Sequence, residues 1–301
     1  MKFAAALLLT SLLASPAAAQ VPTSKATSRT LLVIGNSFTQ GAHSAVRNWR
    51  ASSVTDLNRA GYGGVPALFK AFTEQAGLNY SVSLETQGGK SLGFHYDERR
   101  TLFDKPWDVV VLQEFSTLNR ERPGDPAATA RDTRRLAELL QRRNPKVQIN
   151  LMATWSRADL TYKPGSRWSG ANIAAMAGDL QSASEGICKN VAAVQQVLPV
   201  GTAWNRAFET GVADPNPYDG IEFGTLGLWA YDHYHGSVPG YYLEALVVFG
   251  AVTGIDPTTL GKDERAADEL GLSDEQAVAL QKVASEEIAS RRGGRCQISR
   301  R

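Results

Sequence analysis

Ser37, Asp232 and His235 are residue types that together perform nucleophilic acyl transfer. Ser37 stands in Gly35-Asn36-Ser37-Phe38-Thr39, directly after the apolar run Leu31-Leu32-Val33-Ile34. A hydroxyl just past a buried strand, beside a glycine that permits a tight turn, projects into a crevice. An unassisted serine is a poor nucleophile, so a base must lie next to it. The segment Tyr231-Asp232-His233-Tyr234-His235-Gly236 offers one. A spacing of three puts Asp232 and His235 on one side of a turn, where the carboxylate holds one imidazole nitrogen and frees the other for the serine proton. Other roles suit the same residues. Ser37 fits a helix cap, and His233 with His235 fits zinc if His43, His95 or a distant acid adds a ligand. None of those has ligand spacing.

Two further segments follow predicted strands. Thr86-Gln87-Gly88-Gly89-Lys90-Ser91 contains paired glycines, which let a backbone N–H approach an oxyanion, though an ordinary turn reads the same way. Gln113 in Leu112-Gln113-Glu114 offers a side-chain amide for the same purpose; a buried glutamine bonded to a loop is the other reading.

Taken together, these segments resemble the blocks of the SGNH (GDSL-like) hydrolase family over residues 30–255, with Asn36 where that family more usually has aspartate. Gly89-Lys90-Ser91 is similar to its second block, and Asp232 to His235 to its last. The third block departs from the family's Gly-x-Asn and reads Leu112-Gln113-Glu114. The resemblance implies a serine esterase acting on acyl esters, acetyl foremost, in a family that includes carbohydrate acetylesterases, lipases, lysophospholipases and thioesterases. The six tryptophans and a secretory signal pattern at residues 1–19 lean towards an exported enzyme and a sugar ester. Ser37 is then the nucleophile, His235 the base and Asp232 the acid that orients it. The N–H groups of Ser37 and Gly89, with the Gln113 amide, form the implied oxyanion hole, and one such donor is typically worth about 3–4 kcal/mol in the transition state. No cofactor and no metal is expected. A non-catalytic glycan-binding module and a metal-dependent hydrolase using His233 and His235 are the rival classes. The elbow of α/β-hydrolases is disfavoured, since Thr39 stands at its final glycine position and the serine follows the first strand.

Short apolar runs closed by turns predict buried parallel strands at 31–34, 80–84, 108–113, 146–152 and 197–200. Helical periodicity predicts helices at 65–76, 127–143, 171–196 and 240–252. The alternation gives an α/β fold, a three-layer αβα sandwich with a mainly parallel five-stranded sheet of flavodoxin-like type. Ligands of such sheets bind beyond the carboxyl ends of the strands, where all four segments fall. Trp155 and Trp168 lie in the loop after the fourth predicted strand, with Arg157, Lys163 and Arg167. Trp155 and His95 are therefore the candidate substrate contacts, Trp155 as a platform for a sugar ring, against the commoner readings of a core aromatic and a satisfied loop histidine.

Lys2, the apolar run 3–13 and Ala17-Ala18-Ala19 form a secretory signal pattern at residues 1–19, with the cut expected after Ala19. A tail at 20–29, a hydrolase domain at 30–258 and a helical extension at 259–301 follow. Net charge is +2, falling to +1 without Lys2, which gives no footprint for nucleic acid. The expected partner is a small-molecule or carbohydrate ester, in a secreted or periplasmic setting. Cys188 and Cys296 can pair in an oxidising compartment or stand as separate thiols.

Overall fold

Leu31, Leu32, Val33 and Ile34 alternate across the middle of β1 (Arg29–Gly35), and their two faces meet two different layers of helix. The computed structural model describes residues 28–291 and residue 296. The signal segment expected at 1–19, with its expected cut after Ala19, lies outside the described residues.

The sheet is built from β1, β2 (Thr55–Asp56), β3 (Tyr80–Thr86), β4 (Val109–Gln113), β5 (Gln148–Ala153) and β6 (Val194–Pro199). Its order is β2-β3-β1-β4-β5-β6, and every pair is parallel. The expected count of five was one short. β2 spans only two residues at the edge, too few for any hydrophobic period to announce.

On one face Leu31 and Val33 pack under α1 (Gly64–Gln75), α4 (Val200–Glu209), α5 (Val238–Thr253) and α6 (Asp274–Ser290). On the other, Leu32 and Ile34 meet α2 (Ala127–Arg143) and α3 (Ala174–Asn190). The predicted helix 171–196 was too long, because β6 begins at Val194. Among the described residues no helix is long and apolar enough to cross a membrane.

β1 sits where the strand order reverses, with β3 on one side and β4 on the other. The carboxyl ends of these three strands therefore border one crevice. Cys188 on α3 and Cys296 form a disulfide with Cα atoms 5.7 Å apart, and the Cys296 N–H donates to the Gln195 carbonyl of β6 at 3.3 Å.

Candidate active site

The turn after β1 is held by a buried amide. Gln113 Oε1 accepts from the Asn36 N–H at 2.9 Å and from the Thr39 hydroxyl at 2.9 Å. Gly35 is required there, since a Cβ on it would stand 2.7 Å from both Gln113 Oε1 and Thr39 Oγ1. Asn36 closes the turn on itself by accepting from the Phe38 N–H at 3.2 Å, while its amide donates to the Lys90 carbonyl at 3.0 Å and the Glu114 carbonyl at 3.4 Å. One asparagine thus joins the loops after β1, β3 and β4. Ser37, half-buried, is left at the tip.

The acid and base come from a pinched loop. Trp229 and Gly236 form an antiparallel bridge, the Ala230 N–H donates to the His235 carbonyl at 2.7 Å, and the Ser237 N–H to the Leu228 carbonyl at 2.8 Å. Ser237 then caps α5, accepting from the Gly240 N–H at 3.3 Å. Gly240 lets that helix approach, for a Cβ there would lie 2.3 Å from the Leu228 carbonyl oxygen. From below, the Trp155 indole donates to the Tyr234 carbonyl at 3.1 Å and the Trp229 indole to the Ser156 carbonyl at 3.0 Å.

These two supports bring residues far apart in sequence together. Ser37 Oγ is 2.9 Å from His235 Nε2, and His235 Nδ1 is 2.6 Å from Asp232 Oδ2. Asp232 Oδ1 accepts the N–H groups of Tyr234 at 3.1 Å and His235 at 3.0 Å, which fixes the carboxylate plane. Burial pushes the His235 imidazole below its ordinary value, and Asp232 opposes this without reversing it. Burial works to raise the Asp232 carboxyl, but the bonds from the His235 ring and from the two backbone N–H groups outweigh it and leave it below the usual range. A neutral imidazole between a carboxylate and a serine hydroxyl is an arrangement that can take up the serine proton.

Three expected contacts are placed elsewhere. Gln113 is fully buried, and its amide nitrogen donates to the Glu114 carbonyl, so its role is to hold the serine turn. His95 is fully buried against Glu85 and reaches no cleft. Trp155 is fully buried, stacked on Phe38 at 4.2 Å and on Trp204 at 4.5 Å, and offers no face to a sugar. Trp168 is buried too, and its indole donates to Asp179. Aromatic residues in an α/β core are more often packing than platform, and both follow that rule.

Gly89 has φ +68°, a left-handed backbone suited to glycine. Among the described residues the N–H groups of Ser37 and Gly89 donate to no protein atom. Beside Gly89 opens a cavity of about 460 Å³ walled by Phe94, Phe115, Leu118 and Arg120, with Glu114 at its inner side. Burial pushes the Glu114 carboxyl up to about 7, against the N–H groups of Phe115 and Leu92 that favour its charge.

His43, read from the sequence only as a possible further metal ligand, meets the Asp232 loop in the fold. It lies on the rim with its side chain 40% exposed and Nε2 3.9 Å from Asp232 Oδ2. Tyr231, 77% exposed, meets its other nitrogen at 2.8 Å. His233 turns away, its ring 4.3 Å from that of Tyr218. Nothing near His43 in sequence announces this meeting, because it is made by a loop closing across 188 residues.

No family model and no curated protein matches the sequence. Solved structures do match. A DUF4886 family protein from Bacteroides uniformis superposes with TM-score 0.59 at 17% identity, covering 90% of this chain and 97% of its own. A protein from Parabacteroides merdae assigned as a GDSL-like lipase gives TM-score 0.52 at 17% identity, over 75% of this chain and 95% of its own. The chain has the SGNH/GDSL-like hydrolase fold.

Proposed function

On this fold, we propose that the chain is an exported serine esterase in which Ser37 is the nucleophile, His235 the general base and Asp232 its orienting acid. The observation that supports it best is the unbroken chain of contacts from Asp232 through His235 to Ser37, 2.6 Å and 2.9 Å long. Ser37 Oγ attacks the ester carbonyl while His235 Nε2 takes its proton. The N–H groups of Ser37 and Gly89 face the developing oxyanion; Gln113 is not a third donor in this scheme. The imidazolium then gives its proton to the leaving alkoxide, an acyl-enzyme remains, and water repeats the sequence to release the acid. No step calls for a cofactor.

The acyl group is proposed to be short, acetyl first, and the alcohol a carbohydrate. With Trp155 and Trp168 buried, the exposed rings that touch residues of the Asp232 loop or the rim His43 are instead Tyr231, bonded to His43, and Tyr218, against His233. Export is supported by the signal pattern at residues 1–19 and by the Cys188–Cys296 disulfide, which persists in oxidising compartments.

A fluorophosphonate probe tests the chemistry. Wild type is expected to label at Ser37 and hydrolyse nitrophenyl acetate, and Ser37→Ala to do neither. Equal rates from both proteins overturn the mechanism. Absence of both labelling and turnover in the wild type leaves the glycan-binding alternative.

A further inference from the structure

His43 has no part in the acyl-transfer scheme, yet its placement is closely determined. Its backbone is left-handed at φ 61°, a conformation non-glycine residues seldom adopt. The Tyr231 hydroxyl engages Nδ1 at 2.8 Å, so the ring is held with Nε2 towards Asp232 Oδ2 at 3.9 Å. Its ring centroid lies 4.6 Å from that of His235. Ligand atoms of His43, Asp232 and His235 all fall within 4.8 Å of one another.

Two imidazoles and one carboxylate make a donor set suited to zinc and its neighbours. A partner on the far nitrogen, as Tyr231 is on His43, is what orients histidines that bind metal. The exposed side of His43 gives an ion a way in. His233 and His95 are outside this group: one packs against Tyr218 and the other is buried against Glu85.

We propose that His43, Asp232 and His235 form an inhibitory site for a zinc-like divalent cation. It rests on the esterase reading only in what it switches off. On binding, His235 changes tautomer by proton exchange with solvent: the proton leaves Nδ1, one is taken up at Nε2, and the neutral ring gives its Nδ1 lone pair to the metal. Asp232 then ligates the ion and no longer accepts the imidazole hydrogen bond. His235 Nε2 now carries an N–H and has no lone pair with which to accept the Ser37 proton. Chelation reverses each change. Magnesium and calcium, which prefer oxygen ligands throughout, do not substitute.

Direct binding is measured by calorimetry with zinc chloride on Ser37→Ala, and inhibition by nitrophenyl acetate hydrolysis on the wild-type chain. One zinc is expected per Ser37→Ala chain, and His43→Ala in that background should weaken it at least tenfold. Zinc should inhibit the wild type reversibly, with activity restored by EDTA and unaffected by magnesium. If His43→Ala does not fold, Tyr231→Phe, which removes only the orienting hydroxyl, should weaken zinc in the same direction. No zinc heat, or an affinity indifferent to these changes, overturns the site. Zinc bound as expected to a wild type that never hydrolyses esters overturns the esterase reading and leaves the site standing.

Discussion

Asp232 spends both carboxylate oxygens on its own loop, one on the His235 ring and one on the Tyr234 and His235 N–H groups. Asp232→Asn preserves the shape but presents an N–H₂ where an acceptor is needed, which favours the wrong imidazole tautomer. On the precedent of other triads, kcat should fall about 10⁴-fold with little change in KM; a loss under tenfold would put the acid elsewhere. Gln113 is the opposite case, a residue whose importance lies in what it holds. Gln113→Leu strands the buried Asn36 N–H and Thr39 hydroxyl, at about 1–3 kcal/mol for each unpaired group. Denaturant melts should therefore show a clear stability loss along with the loss of activity. Unchanged stability with kcat down 10²–10³-fold would return Gln113 to the oxyanion hole. Ser37, Asp232 and His235 were legible because residue type and turn spacing are local. The direction of the Gln113 amide was not, since it depends on Asn36 and Thr39, which reach it across the sheet.

At the level of elements, short apolar runs announced β1 and β4, because a strand buried on both faces has little choice of residue, and β5 was legible despite the Gln148 and Asn150 that interrupt it. The edge strand β2 and the start of β6 escaped, one for brevity and the other because Gln195 and Gln196 interrupt its apolar run. The end of β4 also carries a titratable consequence. Glu114 is buried beside Gly89 with its carboxyl pushed up to about 7 from an ordinary 4.5. The folded chain therefore holds a proton that the unfolded chain has released above that ordinary value. This contribution to stability is complete below pH 4.5, declines as pH rises, and is gone above pH 7. Glu114→Gln keeps an oxygen for the Phe115 N–H and never ionises. Its stability relative to wild type should rise by about 3 kcal/mol between pH 4.5 and pH 8. A difference independent of pH across that window would mean the carboxylate is solvated in the folded chain.

Across the whole molecule, the two faces of the sheet carry different duties. The face under α1, α4, α5 and α6 supports the Asp232–His235 loop through the capped start of α5. The opposite face, under α2 and α3, carries Cys188 and its bond to Cys296. Sequence alone left that pairing open, because nothing local sets the distance between residues 108 apart. The fold closes it by placing Cys296 beside the outer strand β6, where its N–H bonds the Gln195 carbonyl. In the chain-entropy view a loop of this length is worth about 4–5 kcal/mol. Cys296→Ser should lower the guanidinium midpoint accordingly, and a reductant should lower wild type to the same point while leaving the variant unmoved. Because the loop of Asp232 and His235 is supported from the other face, probe labelling of Ser37 per folded molecule should stay at the wild-type level below the transition. Labelling that falls before the fold is lost would instead tie the disulfide to the geometry of Ser37 and His235.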